Sequence, residues 1–225
     1  MTEPKKIIQQ DRKQKRPYKV GEEIANSVTH GLGVVFAVVA MTLLIVTVVL
    51  HGGEGWEYTA AIIYGSSLIV EYTFSTLYHS FPWPKTKHVF KVLDHAGIYF
   101  LIAGSYTPFM LVTLRGNTIG LWVFVGVWMF AFAGIATEAF WVYRPKWLSA
   151  VVYLIMGWIA VLAIKPLVAA APAQAVNLLI AGGLAYTLGT VTYVPRRVPY
   201  LHSIWHLFVL AGSVLHFLAI VLYVL

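Results

Sequence analysis

The 225-residue sequence contains no cysteine, which excludes disulfides, thiolate nucleophiles and sulfur metal ligands together. A transition-metal site in such a chain is built from imidazole, carboxylate and water, a donor set that favours zinc or a related borderline ion. Charge is scarce as well: 11% of residues are charged against 59% hydrophobic, and mean hydropathy is +0.75. That balance excludes an ordinary soluble domain and reads as an integral membrane protein. Acidic residues number nine against sixteen Lys and Arg, a net charge of +7. This excess does not point to nucleic acid, because the basic residues are confined to a leading segment and to short loops between apolar runs. No glycine-rich phosphate loop follows a strand, no serine sits in a nucleophile-elbow motif, and neither a short repeat nor an inverted repeat is evident. The last apolar run has no lysine for a retinal Schiff base. No secretory signal is visible, since the first apolar run starts only after about Asn26 and is too long for a signal core; it is expected to remain as a spanning helix.

What is present is seven apolar runs, at about 24–50, 58–81, 94–114, 118–141, 147–168, 174–194 and 201–225. Each is near the roughly 20 residues that cross a bilayer core. The expected fold is an all-α membrane protein: a cytoplasmic basic tail over 1–20, then a seven-transmembrane helix bundle over 21–225. In the fifth run Lys165-Pro166 is expected to stop the helix early, with 169–174 as a loop. The tail and the second, fourth and sixth loops hold fourteen of the sixteen basic residues, including Lys85, Lys87 and Lys91, Arg144 and Lys146, and Arg196 and Arg197. By the positive-inside bias the amino terminus is cytoplasmic and the carboxyl terminus outside.

That orientation gathers the histidines. His202 and His206 are one helical turn apart at the start of the last run, a metal-ligand spacing. His79 ends the second run, and Asp94 and His95 begin the third, so all five belong to the cytoplasmic layer. Glu71, Ser75 and His79 are spaced four apart and share a face, and ionisable groups inside a bilayer usually face the bundle or a watery cavity. Glu71 itself reads either as part of a site or as a protonated member of a polar seam between helices. The expectation is that His79, His202 and His206 hold zinc and leave a fourth position for water, the catalytic pattern of three protein ligands. Bound water would titrate near pH 7 (pKa about 7), with Asp94 placed to accept its proton or orient it. Ser75 would steady an oxyanion or support a ligand. His30, on one face with Asn26, reads as a helix-packing contact or as a bond near the metal. Glu138 pairs with Arg144 or caps a cavity. His95 points about 100° away from Asp94 and is left outside the site. His216, about 21 Å along the helix from His202, cannot share the ion and reads as a buried, hydrogen-bonded histidine. His51 and His88 read as solvated loop residues, and Gly31, Gly33, Gly182 and Gly183 as points of close helix approach.

Three stretches, Ser75-Thr-Leu-Tyr-His79, Leu93-Asp94-His-Ala-Gly-Ile98 and His202-Ser-Ile-Trp-His206 continuing to His216-Phe217, together with the opening Glu22-Glu-Ile-Ala-Asn26-Ser-Val-Thr-His30-Gly, carry a resemblance. The chain resembles the haemolysin III family, the bacterial branch of the progestin and adiponectin receptor group, itself similar to alkaline ceramidases. The resemblance implies a multi-pass bacterial plasma-membrane protein with seven helices and zinc near the cytoplasmic face. It implies His79, His202 and His206 as ligands, and Asp94 and Ser75 as the residues that orient water and support the site. It also implies hydrolysis of a lipid amide, as in ceramidases, and a link to membrane homeostasis.

Three function classes follow. The leading one is a zinc-dependent intramembrane hydrolase of lipid amides or esters, its partner a membrane lipid or fatty-acid-like ligand and not nucleic acid. The second is a lipid sensor or receptor in which zinc ties helices together. A pore-forming lysin fits the family's haemolysin name but not this chain, because pore formers usually begin soluble.

Overall fold

Long apolar segments nearly free of charge become helices because only a helix pairs every backbone N–H and C=O within its own segment when water is absent. A computed structural model describes residues 18–195 and 198–225 of the chain. Most of the basic tail over 1–20, and Arg196 and Arg197 of the sixth loop, lie outside the described residues. Among the described residues there are seven helices and no strand. They are α1 (Val20–Leu50), α2 (Gly55–Ser80), α3 (Pro84–Thr113), α4 (Thr118–Trp141), α5 (Lys146–Ala170), α6 (Ala173–Tyr193) and α7 (Leu201–Tyr223). All but α2 are long and apolar enough to cross a membrane. The exception carries Glu71, Ser75 and His79, all of which turn inward and are buried.

The packing follows from where small and polar residues fall. On α1 the buried positions Glu22, Asn26, His30, Gly33, Ala37, Ala40, Leu44 and Val48 recur every three or four residues, while Val28, Val35, Val39 and Val46 face outward. Helix α2 lies between α1 and α3, and α7 packs on both α1 and α6. Gly33 lets the ring of Tyr72 approach α1, and Gly97 and Gly104 of α3 leave room for Glu71 and Ser67 of α2; a Cβ at any of the three would collide. Of the other glycines marked for close approach, Gly182 meets His216, but Gly183 meets nothing and Gly31 makes only an ordinary contact with Thr76.

Two expected boundaries are corrected. The third helix starts at Pro84, ten residues before Asp94, because proline suits a first helical turn and the basic segment continues as helix. His88 therefore lies in α3 and is half-buried, its ring stacked on Tyr143 and bonded to the Tyr143 hydroxyl at 2.9 Å. The reading of His51 as an exposed loop residue stands. In the fifth span Lys165-Pro166 does not stop the helix, which runs to Ala170 with only residues 171–172 before α6. A 3-10 turn over Ile159–Ala163 precedes a fresh α-helical segment from Ile164, so Pro166 occupies the first turn of that segment, where proline is tolerated.

The 3-10 turn has a visible cause. The Tyr106 hydroxyl of α3 inserts into the α5 ladder, accepting from Ala160 N–H at 2.8 Å and lying 3.0 Å and 2.5 Å from the Met156 and Gly157 carbonyls. Past Pro108, α3 itself widens into a π-helical turn, Phe109–Thr113. Tyr106→Phe removes the shared hydroxyl from a buried site and is expected to cost about 1–3 kcal/mol. Thermal denaturation of the purified variant should show a lower midpoint.

Candidate metal centre

His79 sits in the last turn of α2, His202 in the first turn of α7, and His206 one turn further. The entry to α7 is held from α1. The backbone N–H of Tyr200, whose φ of 61° lies in the left-handed region, donates to Glu22 Oε1 at 3.2 Å, and the Lys19 N–H takes the other oxygen at 3.0 Å. A left-handed non-glycine residue is strained, and Glu22 thus fixes the bend that aims His202 at His79.

One ring nitrogen from each of His79, His202 and His206 lies within 4.8 Å of the others. The ring centroids of His202 and His206 are 4.6 Å apart, and those of His79 stand 5.1 Å and 5.2 Å from them. Helix α1 decides which nitrogens are free. His79 Nδ1–H donates to Glu23 Oε2 at 2.6 Å, and the other Glu23 oxygen pairs with Lys87 at 2.8 Å. His206 Nδ1 is 3.1 Å from the Asn26 carbonyl oxygen and 3.0 Å from the Thr29 hydroxyl. A carbonyl only accepts, so the proton is on Nδ1 and the Nε2 lone pair of His206 is available. Asn26 is itself fixed, its Oδ1 accepting from Ser203 at 2.6 Å. His202 is held by stacking on Tyr18, centroid to centroid 5.3 Å. His79 Nε2 and His202 Nδ1 are buried with no hydrogen-bond partner. Buried nitrogens normally have one, and a set of convergent imidazole lone pairs is what a metal ion requires. The three histidines can hold a metal ion.

The remaining predicted residues gather around this triad. Ser75 is one turn before His79 and, like Glu71, is near the Asp94 carboxyl of α3; all three are buried, and the Ser75 Oγ has no hydrogen-bond partner. Asp94 is not one of the converging donors. His30 packs rather than bonds: its ring stacks on His206 with centroids 3.5 Å apart, meets Tyr72 edge-on, and has no hydrogen bond at either nitrogen. Glu138 pairs with Arg144, whose Nη2 also donates to the Tyr99 hydroxyl at 2.9 Å. Burial disfavours the Arg144 charge, but Glu138 together with the Tyr153 and Tyr99 hydroxyls holds its pKa above the ordinary arginine value. His95 turns to this pair, its Nδ1 3.6 Å from Glu138 Oε2.

Sequence reasoning did not find Glu23 or Thr29. The signal was a polar stripe of Glu23, Asn26 and Thr29 at three-residue spacing on an otherwise apolar helix.

All of this constellation lies in a region, residues 18–217, that matches a family model described as haemolysin-III related. The chain belongs to the haemolysin III family. It is 42% identical over 206 residues to the hemolysin-3 homolog of Bacillus subtilis (strain 168), covering 92% of this chain and 96% of that protein. It is 43% identical over 206 residues to hemolysin-3 of Bacillus cereus, covering 92% and 93%. A more distant relative is the human monocyte to macrophage differentiation factor of the progestin and adiponectin receptor group, 31% identical over 209 residues, covering 88% and 83%. Like its haemolysin III relatives, the chain is a multi-pass membrane protein.

Where a carboxylate fixes a metal-binding imidazole, its loss typically weakens metal affinity by about 10–100-fold. Glu23→Gln is expected to do this here through His79 while leaving the ligands in place, as measured by competition with a coloured chelator.

Proposed function

We propose that the histidine triad holds zinc and that the chain hydrolyses an amide or ester bond of a membrane lipid. It does so as a seven-span bundle, amino terminus in the cytoplasm and carboxyl terminus outside, with a role in membrane lipid homeostasis. The observation that carries this reading is the convergence of three imidazole nitrogens whose partner nitrogens at His79 and His206 are already committed to Glu23 and Asn26. An all-nitrogen set of neutral rings fits zinc. Lys87, Arg144 and Lys146 lie at the same end of the bundle as the triad, which supports a cytoplasmic placement.

A cavity between α3, α5, α6 and α7 supports a lipid substrate. Its walls are mostly apolar, with Leu101, Phe109, Trp158 and Val209 among them, and it reaches Trp205, the neighbour of His206, and Glu71. Zinc bound at the triad would supply Lewis acidity to a carbonyl oxygen or to water. The Asp94 carboxylate accepts the proton of the attacking water and returns it to the departing nitrogen or oxygen. The Ser75 hydroxyl, one turn from His79, donates to the carbonyl oxygen as negative charge develops there. The apolar walls hold the acyl chain and exclude bulk water.

The test is release of fatty acid from a panel of ceramides, acyl amides and phospholipids, measured by mass spectrometry with zinc-loaded and chelator-treated protein. Undiminished hydrolysis by a metal-free His79→Ala/His202→Ala protein overturns the reading. That Asp94 stands outside the converging donors favours a second reading, in which the metal only ties α2 to α7 in a lipid sensor. Under it, metal removal lowers the melting temperature and no lipid in the panel is cleaved.

A further inference from the structure

His216 and Glu71 are buried, belong to different helices and line the same cavity, yet each has a polar atom with no hydrogen-bond partner. On His216 the unpartnered atom is Nδ1, because Nε2 lies 3.2 Å from the Leu179 carbonyl oxygen and must carry the proton that bonds it. His216 Nδ1 is therefore an acceptor waiting for a donor. On Glu71 the unpartnered atom is Oε2, which Gly97 admits against α3. Tyr186 lines the same cavity, meets the His216 ring edge-on at 5.4 Å, and has its own hydroxyl bonded to Ser213 at 2.8 Å. Buried polar atoms almost always have a partner, so two without one in the lining of a single apolar cavity mark a place where a ligand group belongs.

Depth fixes where on the ligand that group sits. Glu71 is eight residues from His79 and His216 ten from His206, each on the side away from the triad, or about 12 Å and about 15 Å along their helices. We propose that His216 and Glu71 read a neutral hydroxyl partway along the body of a lipid whose other polar group is presented to the histidines. The ligand class is thus a long-chain lipid hydroxylated in mid-chain. A hydroxyl suits the pair because its one proton goes to His216 Nδ1 while its oxygen accepts from the acid form of the Glu71 carboxyl. This assignment rests on the proposed lipid site for the position of the head, but the hydroxyl is read by residues that hold no metal.

The experiment is displacement of a fluorescent fatty acid from the full-length protein in detergent micelles by three probes: stearic acid, a mid-chain hydroxystearic acid, and the methyl ether of that hydroxy acid. One buried hydrogen bond predicts displacement by the hydroxy acid at about tenfold lower concentration than by stearic acid, with the ether no better than stearic acid because it cannot donate. In His216→Leu the hydroxy acid should fall to the level of stearic acid, whose own displacement is unchanged. Equal displacement by all three probes in the unmodified protein overturns the proposal, and that comparison needs no variant to fold. A hydroxyl preference that survives in His216→Leu also overturns it. Chelator-treated protein should keep the preference; its loss there would place the hydroxyl reader at the triad and overturn the assignment to His216. Failure of the zinc or hydrolase reading is seen separately, as absent metal or absent fatty-acid release, and does not alter this comparison.

Discussion

His206→Ala, alone or with His202→Ala, is expected to reduce bound metal from about one ion per chain to none, because two imidazoles or fewer do not hold a tetrahedral ion against water and chelators. Elemental analysis of protein purified without added metal is the direct measurement. The same change should lower thermal stability for two separable reasons. An ion that binds only the folded state contributes about 4 kcal/mol when present at a thousand times its Kd. Removal of the ring also strips the Thr29 hydroxyl and the Asn26 carbonyl of a partner and leaves His30 without the ring it stacks on. Chelation of the unmodified protein removes the first contribution alone, so the gap between chelated protein and variant measures the second. A variant that retains a stoichiometric ion would show that His206 is not a ligand.

Helix number and the triad were legible in the sequence because both depend on local spacing. A bilayer demands a minimum apolar length, and that demand alone separates α1 and α3 through α7 from their loops. The pair His202 and His206 shares a face by helical geometry, and His79 joins it once α2 is known to end on the side where α7 begins. What the sequence hid depends on contacts between helices. Glu23 and Thr29 matter because of how α1 is rotated against α2 and α7, which periodicity in α1 alone does not determine. Pro166 was misread because a proline's effect depends on its place in a helical segment, and that place was set by the Tyr106 hydroxyl, sixty residues earlier in the chain. His88 was misread as solvated because Tyr143, its partner, is far away in sequence.

Asp94→Asn is expected to lower lipid hydrolysis by at least about a hundredfold with metal content unchanged. The amide matches the carboxylate in shape and still accepts a hydrogen bond, so packing against Ser75 and Glu71 is preserved. What it cannot do is take a proton from water, and general-base catalysis contributes about 10²–10⁴-fold. The loss should fall on kcat, with KM little altered, because the acyl chain is held by cavity walls that do not include Asp94. Ser75→Ala provides the contrast. Removing one hydrogen-bond donor to the developing oxyanion costs about 10²–10³-fold, but a hydroxyl that only braces Asp94 would cost far less, so the ratio of the two variants assigns Ser75 its part. Loss of metal from Asp94→Asn would instead make Asp94 a fourth ligand, closing the position where a carbonyl or water must enter. Full turnover by a metal-replete Asp94→Asn protein would remove it from the chemistry, leaving a triad that joins α2 to α7 and catalyses nothing.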